Sequence, residues 1–181
     1  MKNSLLLVAL ITSLNLFSQS DTNNTISKES KIYTSITGGL MPASHLSKSF
    51  HVINGYKFNN HWQVGIGFGA EDFANKGYLP MFLHGQYNLL KKHTTPFVAV
   101  LAGYEMPLSG NYNNKGGFTA GLQVGLNHYF SNHVGITTSV GYRYGYFEQQ
   151  NIYGGWELPY KNTTQIREIN RFEFRFGLVF K

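Results

Sequence analysis

The chain has 181 residues; 13% are Asp, Glu, Lys or Arg, 15% are Phe, Trp or Tyr, twenty are glycine, none is cysteine, and the formal charge is +6. Without cysteine there are no disulfides and no thiol chemistry, and a lipid-anchored N-terminus is not expected. The charged fraction is about half the ~25% of an ordinary soluble domain. Beyond Lys91-Lys92 the basic residues are scattered, so no nucleic-acid surface is expected.

The N-terminus carries Lys2, then the apolar run Leu5-Leu6-Leu7-Val8-Ala9-Leu10-Ile11, then Ser18-Gln19-Ser20. A positive start, a short apolar run and small residues at a cleavage point make up a secretory signal. Residues 1–20 are expected to be a signal peptide, cut after Ser20 or a residue or two earlier. The run falls short of the ~20 residues of a transmembrane helix. Residues 21–30 are polar and aperiodic and read as a short lead, which leaves 31–181 as one domain.

Eight stretches in that domain alternate with a period of two, the signature of a strand whose side chains point to opposite faces in turn. The first, about 31–41, sets Ile32, Thr34, Ile36 and Leu40 against Tyr33, Ser35, Thr37 and Gly39. In the second, about 48–58, Phe50, Val52, Tyr56 and Phe58 oppose His51, Gly55 and Lys57, with Ile53 and Asn54 breaking the pattern. The third, about 61–70, is regular: Trp62, Val64, Ile66 and Phe68 against Gln63, Gly65, Gly67 and Gly69. The fourth, about 77–91, puts Phe82, His84, Gln86 and Asn88 on its polar face. The fifth, about 96–105, is nearly all apolar; facing Val98, Val100, Ala102 and Tyr104 outward turns Glu105 inward.

The sixth, about 117–129, and the seventh, about 133–147, alternate over their full length, the seventh with Arg143 on its glycine-rich face. The last is Arg171–Lys181, where Phe172, Phe174, Phe176, Leu178 and Phe180 share one face and Arg171, Glu173, Arg175 and Gly177 the other. These strands match the ~9–11 residues that cross a bilayer at a tilt, where soluble strands average nearer five or six.

Short connections at 58–61, 91–95 and 130–133 alternate with longer ones near 42–47, 71–76, 106–116 and 148–167. Short periplasmic turns and longer outer loops are the habit of outer-membrane barrels. Aromatics gather at both ends: Phe58, Trp62, Tyr129, Phe130 and Phe180 at one, Tyr104, Tyr142, Tyr144, Tyr146 and Phe147 at the other. That pattern predicts two interfacial girdles. Eight alternating strands, an N-terminal signal and a final strand closing on Phe180 resemble the small outer-membrane β-barrels typified by OmpA and OmpX. The resemblance covers about 31–181; Lys181 after the terminal phenylalanine departs from it. It implies an all-β, eight-stranded antiparallel up-and-down transmembrane barrel in a Gram-negative outer membrane. The partners it implies are outer-membrane lipid and lipopolysaccharide, and the barrel-assembly machinery through the C-terminal strand.

No nucleophile elbow, zinc-protease helix or phosphate-binding glycine loop is present, and no residue is assigned to catalysis, a cofactor or a metal. The inward charges Arg143, Arg171, Glu173 and Arg175, with Glu105, are expected to form a lumen network, because charges removed from water must pair. Glu173 is expected to pair with Arg143 or a flanking arginine. In the 148–167 connection Tyr153, Trp156 and Tyr160 are candidate contacts for an extracellular partner. The resulting expectation is a structural or surface-interaction barrel. Its alternatives are an enzyme acting on outer-membrane lipid through Ser49 and His51, a narrow channel, and a soluble barrel holding an apolar ligand.

Overall fold

The structure, a computed structural model, describes residues 31–42, 46–73, 76–108, 114–153 and 161–181. It contains eight strands: β1 (Ile32–Met41), β2 (Ser47–Lys57), β3 (Trp62–Phe73), β4 (Lys76–Asn88), β5 (Thr94–Pro107), β6 (Asn114–Tyr129), β7 (Val134–Tyr153) and β8 (Lys161–Phe180). Each pairs antiparallel with the next, and β8 returns to pair with β1, closing the barrel. The expected architecture is therefore the observed one. Closure leaves backbone donors and acceptors of the wall paired between strands, which a structure surrounded by hydrocarbon requires.

Facing follows the alternation. Val64, Ile66, Phe68, Leu83, Val100, Leu122, Val124, Phe172, Phe174 and Phe176 point out, while His51, Gln63, His84, Gln86, Gln123, Thr137, Glu173 and Arg175 are buried inside. β5 takes the facing that puts Glu105 in the lumen. In β2 the alternation runs unbroken: Ile53 points in and Asn54 out.

Many of the inward bulky residues lie opposite an inward glycine on a neighbouring strand. Tyr33 lies opposite Gly55, His51 opposite Gly69, Phe82 opposite Gly67 and Gly103, and Phe97 opposite Gly125. Arg143 faces Gly121, Glu173 faces Gly141 and Arg175 faces Gly39. An eight-stranded barrel has an interior only just wide enough for side chains to fill. At Gly67 an added Cβ would stand in the ring of Phe82, and at Gly125 in the ring of Phe97.

At one rim, the turns 58–61, 89–93 and 130–133 lie beside Lys31 and Lys181: Lys57 N donates to Lys31 O, and Lys181 N donates to His133 O. Two of these turns share a design. Asn59 Oδ1 accepts from His61 N and Trp62 N, both at 2.8 Å, and Ser131 Oγ accepts from His133 N at 3.3 Å and Val134 N at 3.1 Å. Such side-chain acceptors hold tight turns without help from the rest of the chain.

The opposite rim departs from expectation. The strands run past their apolar rows, so the connections there shrink to 42–46, 74–75, 108–113 and 154–160, and short and long do not alternate strictly. Most of the expected loop 148–167 is a ribbon, paired in register from Arg143↔Arg171 to Tyr153↔Lys161. Polar sequence hid it, because alternation of apolar and polar residues marks only strands with one greasy face. The outward row of β8 changes from Phe172 to exposed Asn170 and Glu168, and the ribbon leaves the apolar belt at that step.

The girdles also need correcting. Phe58, Trp62 and Phe130 are exposed at the turn rim, with Trp62 packed 4.8 Å from Tyr87, and Tyr104 and Tyr142 are exposed toward the other. Tyr129 and Phe147, however, point into the lumen. Both sit on the inward parity of their strands, so position near a rim was not enough to make them interfacial.

Candidate functional site

The lumen divides into three zones. Farthest from the turn rim is an apolar layer of Met41, Tyr78 and Phe147, with the Tyr78 and Phe147 rings 5.0 Å apart. Beneath it lies a buried ion-pair cluster centred on Arg143. Arg143 Nη1 is 2.6 Å from Glu71 Oε1 and 3.5 Å from Glu173 Oε2; Nη2 donates to Glu105 Oε1 at 2.9 Å and Nε to Thr119 Oγ1 at 3.1 Å. Arg175 Nη2 donates to Glu173 Oε2 at 2.7 Å, and Ser49 Oγ donates to Glu173 Oε1 at 2.8 Å. Gln123, its amide oxygen turned to Arg175, accepts from Nη1 and Nε at 3.1 Å. His51 Nε2 lies 2.6 Å from Glu71 Oε1.

The cluster leans on Phe82, whose ring is 5.4 Å from the His51 ring and 6.0 Å from the Arg143 guanidinium. Three carboxylates, those of Glu71, Glu105 and Glu173, face two guanidiniums. Among the described residues His51, Glu71 and Glu173 could bring three ligand atoms within 4.8 Å of one another. Arg143 and Arg175 already occupy those carboxylates, so the position of a cation is taken by guanidinium nitrogens.

Of the residues singled out in the sequence, Arg143, Glu173, Arg175 and Glu105 come together in this cluster. Arg171 donates to Ser47 Oγ, nearer the rim opposite the turns. Glu71 is the charged member that sequence reasoning left out, and His51, placed inward there, was not assigned to the network. Glu71 continues the inward parity of Gln63, Gly65, Gly67 and Gly69, so extending the third strand by one step would have found it. Ser49 and His51 share the inward face of β2 but turn to different carboxylates, and both are buried in the lumen, away from the lipid side. Tyr153 ends β7 opposite Lys161, and Trp156 and Tyr160 lie outside the described residues.

Below the cluster the lumen narrows to a cavity of about 20 Å³ among residues such as Tyr33, His84, Gln86 and Phe97, room for roughly one water. The third zone opens at the turn rim as a vestibule of about 450 Å³. Its floor includes Gln63, Asn88 and Tyr129, and its walls carry Lys57, Lys91, Lys92 and Lys181 with His93 and His133. Lys181 Nζ sits 3.3 Å from the centre of the Tyr129 ring.

A closed eight-stranded up-and-down barrel, greasy outside and charged within, is the fold of the small outer-membrane barrels. The chain belongs to the family described as "Domain of unknown function (DUF2715)", whose profile matches residues 8–181. Neisserial surface protein A has a similar structure, with a TM-score of 0.60 at 13% identity over 84% of this chain and 97% of that one. OprG of Pseudomonas aeruginosa gives 0.58 at 10% identity over 84% and 96%. The outer membrane protein AlkL, solved in lipid bilayers, gives 0.57 at 14% over 90% and 95%. No curated protein matches the sequence.

Proposed function

We propose that this protein is an integral barrel of a Gram-negative outer membrane, exported by its N-terminal signal, with a closed lumen and a structural or surface-interaction role. The observation that carries the reading is the pairing of a continuous apolar belt with a plugged interior: Phe172, Phe174, Phe176 and Leu178 face outward on the strand whose Glu173 and Arg175 help fill the lumen. Short turns of such barrels face the periplasm, so the rim with Asn59 and Ser131 lies inside. The β7–β8 ribbon and the connection 154–160 then rise outside the cell, where they would meet a surface partner. Lipid and lipopolysaccharide surround the belt, and the phenylalanine row of β8 is what the barrel-assembly machinery would engage. The structural likeness to Neisserial surface protein A and AlkL supports the location.

Envelope fractionation combined with protease sites tests it. The protein should stay with the outer membrane until detergent extracts it. A site inserted at Gly154 should be cut on intact cells, and one at Asn59-Asn60 only after permeabilisation. A protein released without detergent, or the reverse pattern of cutting, would overturn the reading. Steady single-channel steps in planar bilayers would replace the closed lumen with a narrow channel.

A further inference from the structure

The turn-rim vestibule differs from the rest of the lumen in that, among the described residues lining it, lysines stand without any Asp or Glu side chain. Lys57 ends β2 on the inward parity and is only 8% exposed, yet among the described residues no acid pairs with it. Lys91 and Lys92 line the same cavity from the turn between β4 and β5, and among the described residues no Asp or Glu lines it. Burying an ammonium without an anion is unfavourable. Lysines lining one recess of a barrel wall focus a positive potential there. Ser131, Asn132 and Thr95 add neutral hydrogen-bonding groups to the same wall. At about 450 Å³ the space admits a small solute and is too small for a folded partner.

We propose that the vestibule is a binding site for a small polyvalent anion bearing phosphate or carboxylate groups, held by Lys57 from the wall and by Lys91 and Lys92 from the turn. The anion completes the charge balance that Glu71, Glu105 and Glu173 supply for Arg143 and Arg175 deeper in the barrel. Its source is a solute on the turn side or the phosphate of a lipid headgroup reaching over the rim. That this side is the periplasm rests on the orientation proposed above. The site itself does not, since binding is read on purified protein and orientation on cells.

The test is titration of the refolded barrel with pyrophosphate in phosphatidylcholine bilayers, followed by calorimetry and by amide shifts in the turns 58–61, 89–93 and 130–133. Saturable binding that weakens with salt is expected. Lys57→Met should lower affinity about tenfold, as loss of a charge-assisted hydrogen bond in a recess does. Lys92→Gln, in an exposed turn, should lower it about threefold and keeps the test alive if the Lys57 variant fails to fold. Lys48→Gln, exposed on β2 outside the vestibule, should leave it unchanged. If the headgroup is the source, phosphatidylglycerol in the bilayer should shift the same turn amides and compete with pyrophosphate. No saturable binding in either bilayer, or an equal loss with Lys48→Gln, overturns the proposal.

Discussion

Arg143 and Lys57 both point into the same narrow barrel, yet only the arginine meets carboxylates. Arg143 is held by Glu71, Glu105 and Glu173 within 3.5 Å, between an apolar layer and the Phe82 ring. Lys57 looks into a wet recess with other cations. Charge in the first setting is structural, because a paired buried ion contributes nothing by leaving and everything around it is shaped to its geometry. Lys57 in the second has no carboxylate partner among the described residues, and what it does depends on what enters. If this contrast is right, removing a charge should weaken the fold in one zone and spare it in the other.

The largest effect is expected at Glu173, which holds Arg175 at 2.7 Å and accepts from Ser49 at 2.8 Å. Glu173→Gln leaves Arg175 without its carboxylate and Arg143 with one fewer. Breaking a buried pair from one side costs ~3–5 kcal/mol. The unfolding midpoint in detergent should fall sharply, and Glu173→Gln combined with Arg175→Met should recover part of the loss. A Glu173→Gln barrel as stable as the parent would mean that the cluster is hydrated and does not hold the strands together.

Next comes the outer face. Val140 sits in the apolar row of β7, pointing outward between Val124 and Phe174. Val140→Arg should cost ~2–4 kcal/mol if that face lies at the bilayer midplane, measured by folding into lipid vesicles. In a soluble barrel the same change would be nearly silent. Together with Glu173→Gln this separates lumen-side from lipid-side charge.

How much of this could be read from residues alone follows from which information each feature needs. Facing needs only parity, so the eight strands, the inward turn of Glu105 and the cluster residues Arg143, Glu173 and Arg175 were legible. Register needs partners, so the pairing of Phe82 with Gly67 or Arg143 with Gly121 was not, although the inward glycines announced a crowded interior. Strand ends are marked by the loss of an apolar row and not by the loss of pairing. Glu71 and the β7–β8 ribbon were therefore hidden in what read as loops. The vestibule was hidden for a different reason: Lys57, Lys92 and Lys181 are far apart in sequence, and only three turns and the last strand meeting at one rim bring them together.

A smaller effect is expected at Tyr33, whose hydroxyl lies 3.3 Å from His84 Nδ1 within the apolar group of Tyr33, Ile53, Phe82 and Leu101. Tyr33→Phe keeps the ring against Gly55 and deletes one neutral hydrogen bond, a loss of ~0.5–1.5 kcal/mol. Thermal unfolding of the variant should show a shift well short of that for Glu173→Gln. An equal shift would place Tyr33 inside the cooperative charge network and extend the structural zone toward the turn rim.

The smallest effect, and the sharpest test of the contrast, is at Lys57. With no carboxylate partner among the described residues, Lys57 gives up no ion pair on substitution, and Lys57→Met removes one of several like charges around the vestibule. Stability without added anion should change by no more than ~0.5 kcal/mol, as for substitutions away from special contacts, or rise slightly as repulsion falls. Salt supplies the sign. Screening shortens the Debye length from ~10 Å at 0.1 M to ~3 Å at 1 M, so added salt relieves repulsion among the vestibule cations and should stabilise the parent more than Lys57→Met. Pyrophosphate should widen that gap, because a ligand that binds the folded state alone stabilises by mass action. The measurement is the unfolding midpoint of both proteins across salt and pyrophosphate. A Lys57→Met protein that loses as much as Glu173→Gln would show that Lys57 has a buried partner, and the two zones of the lumen would then be one.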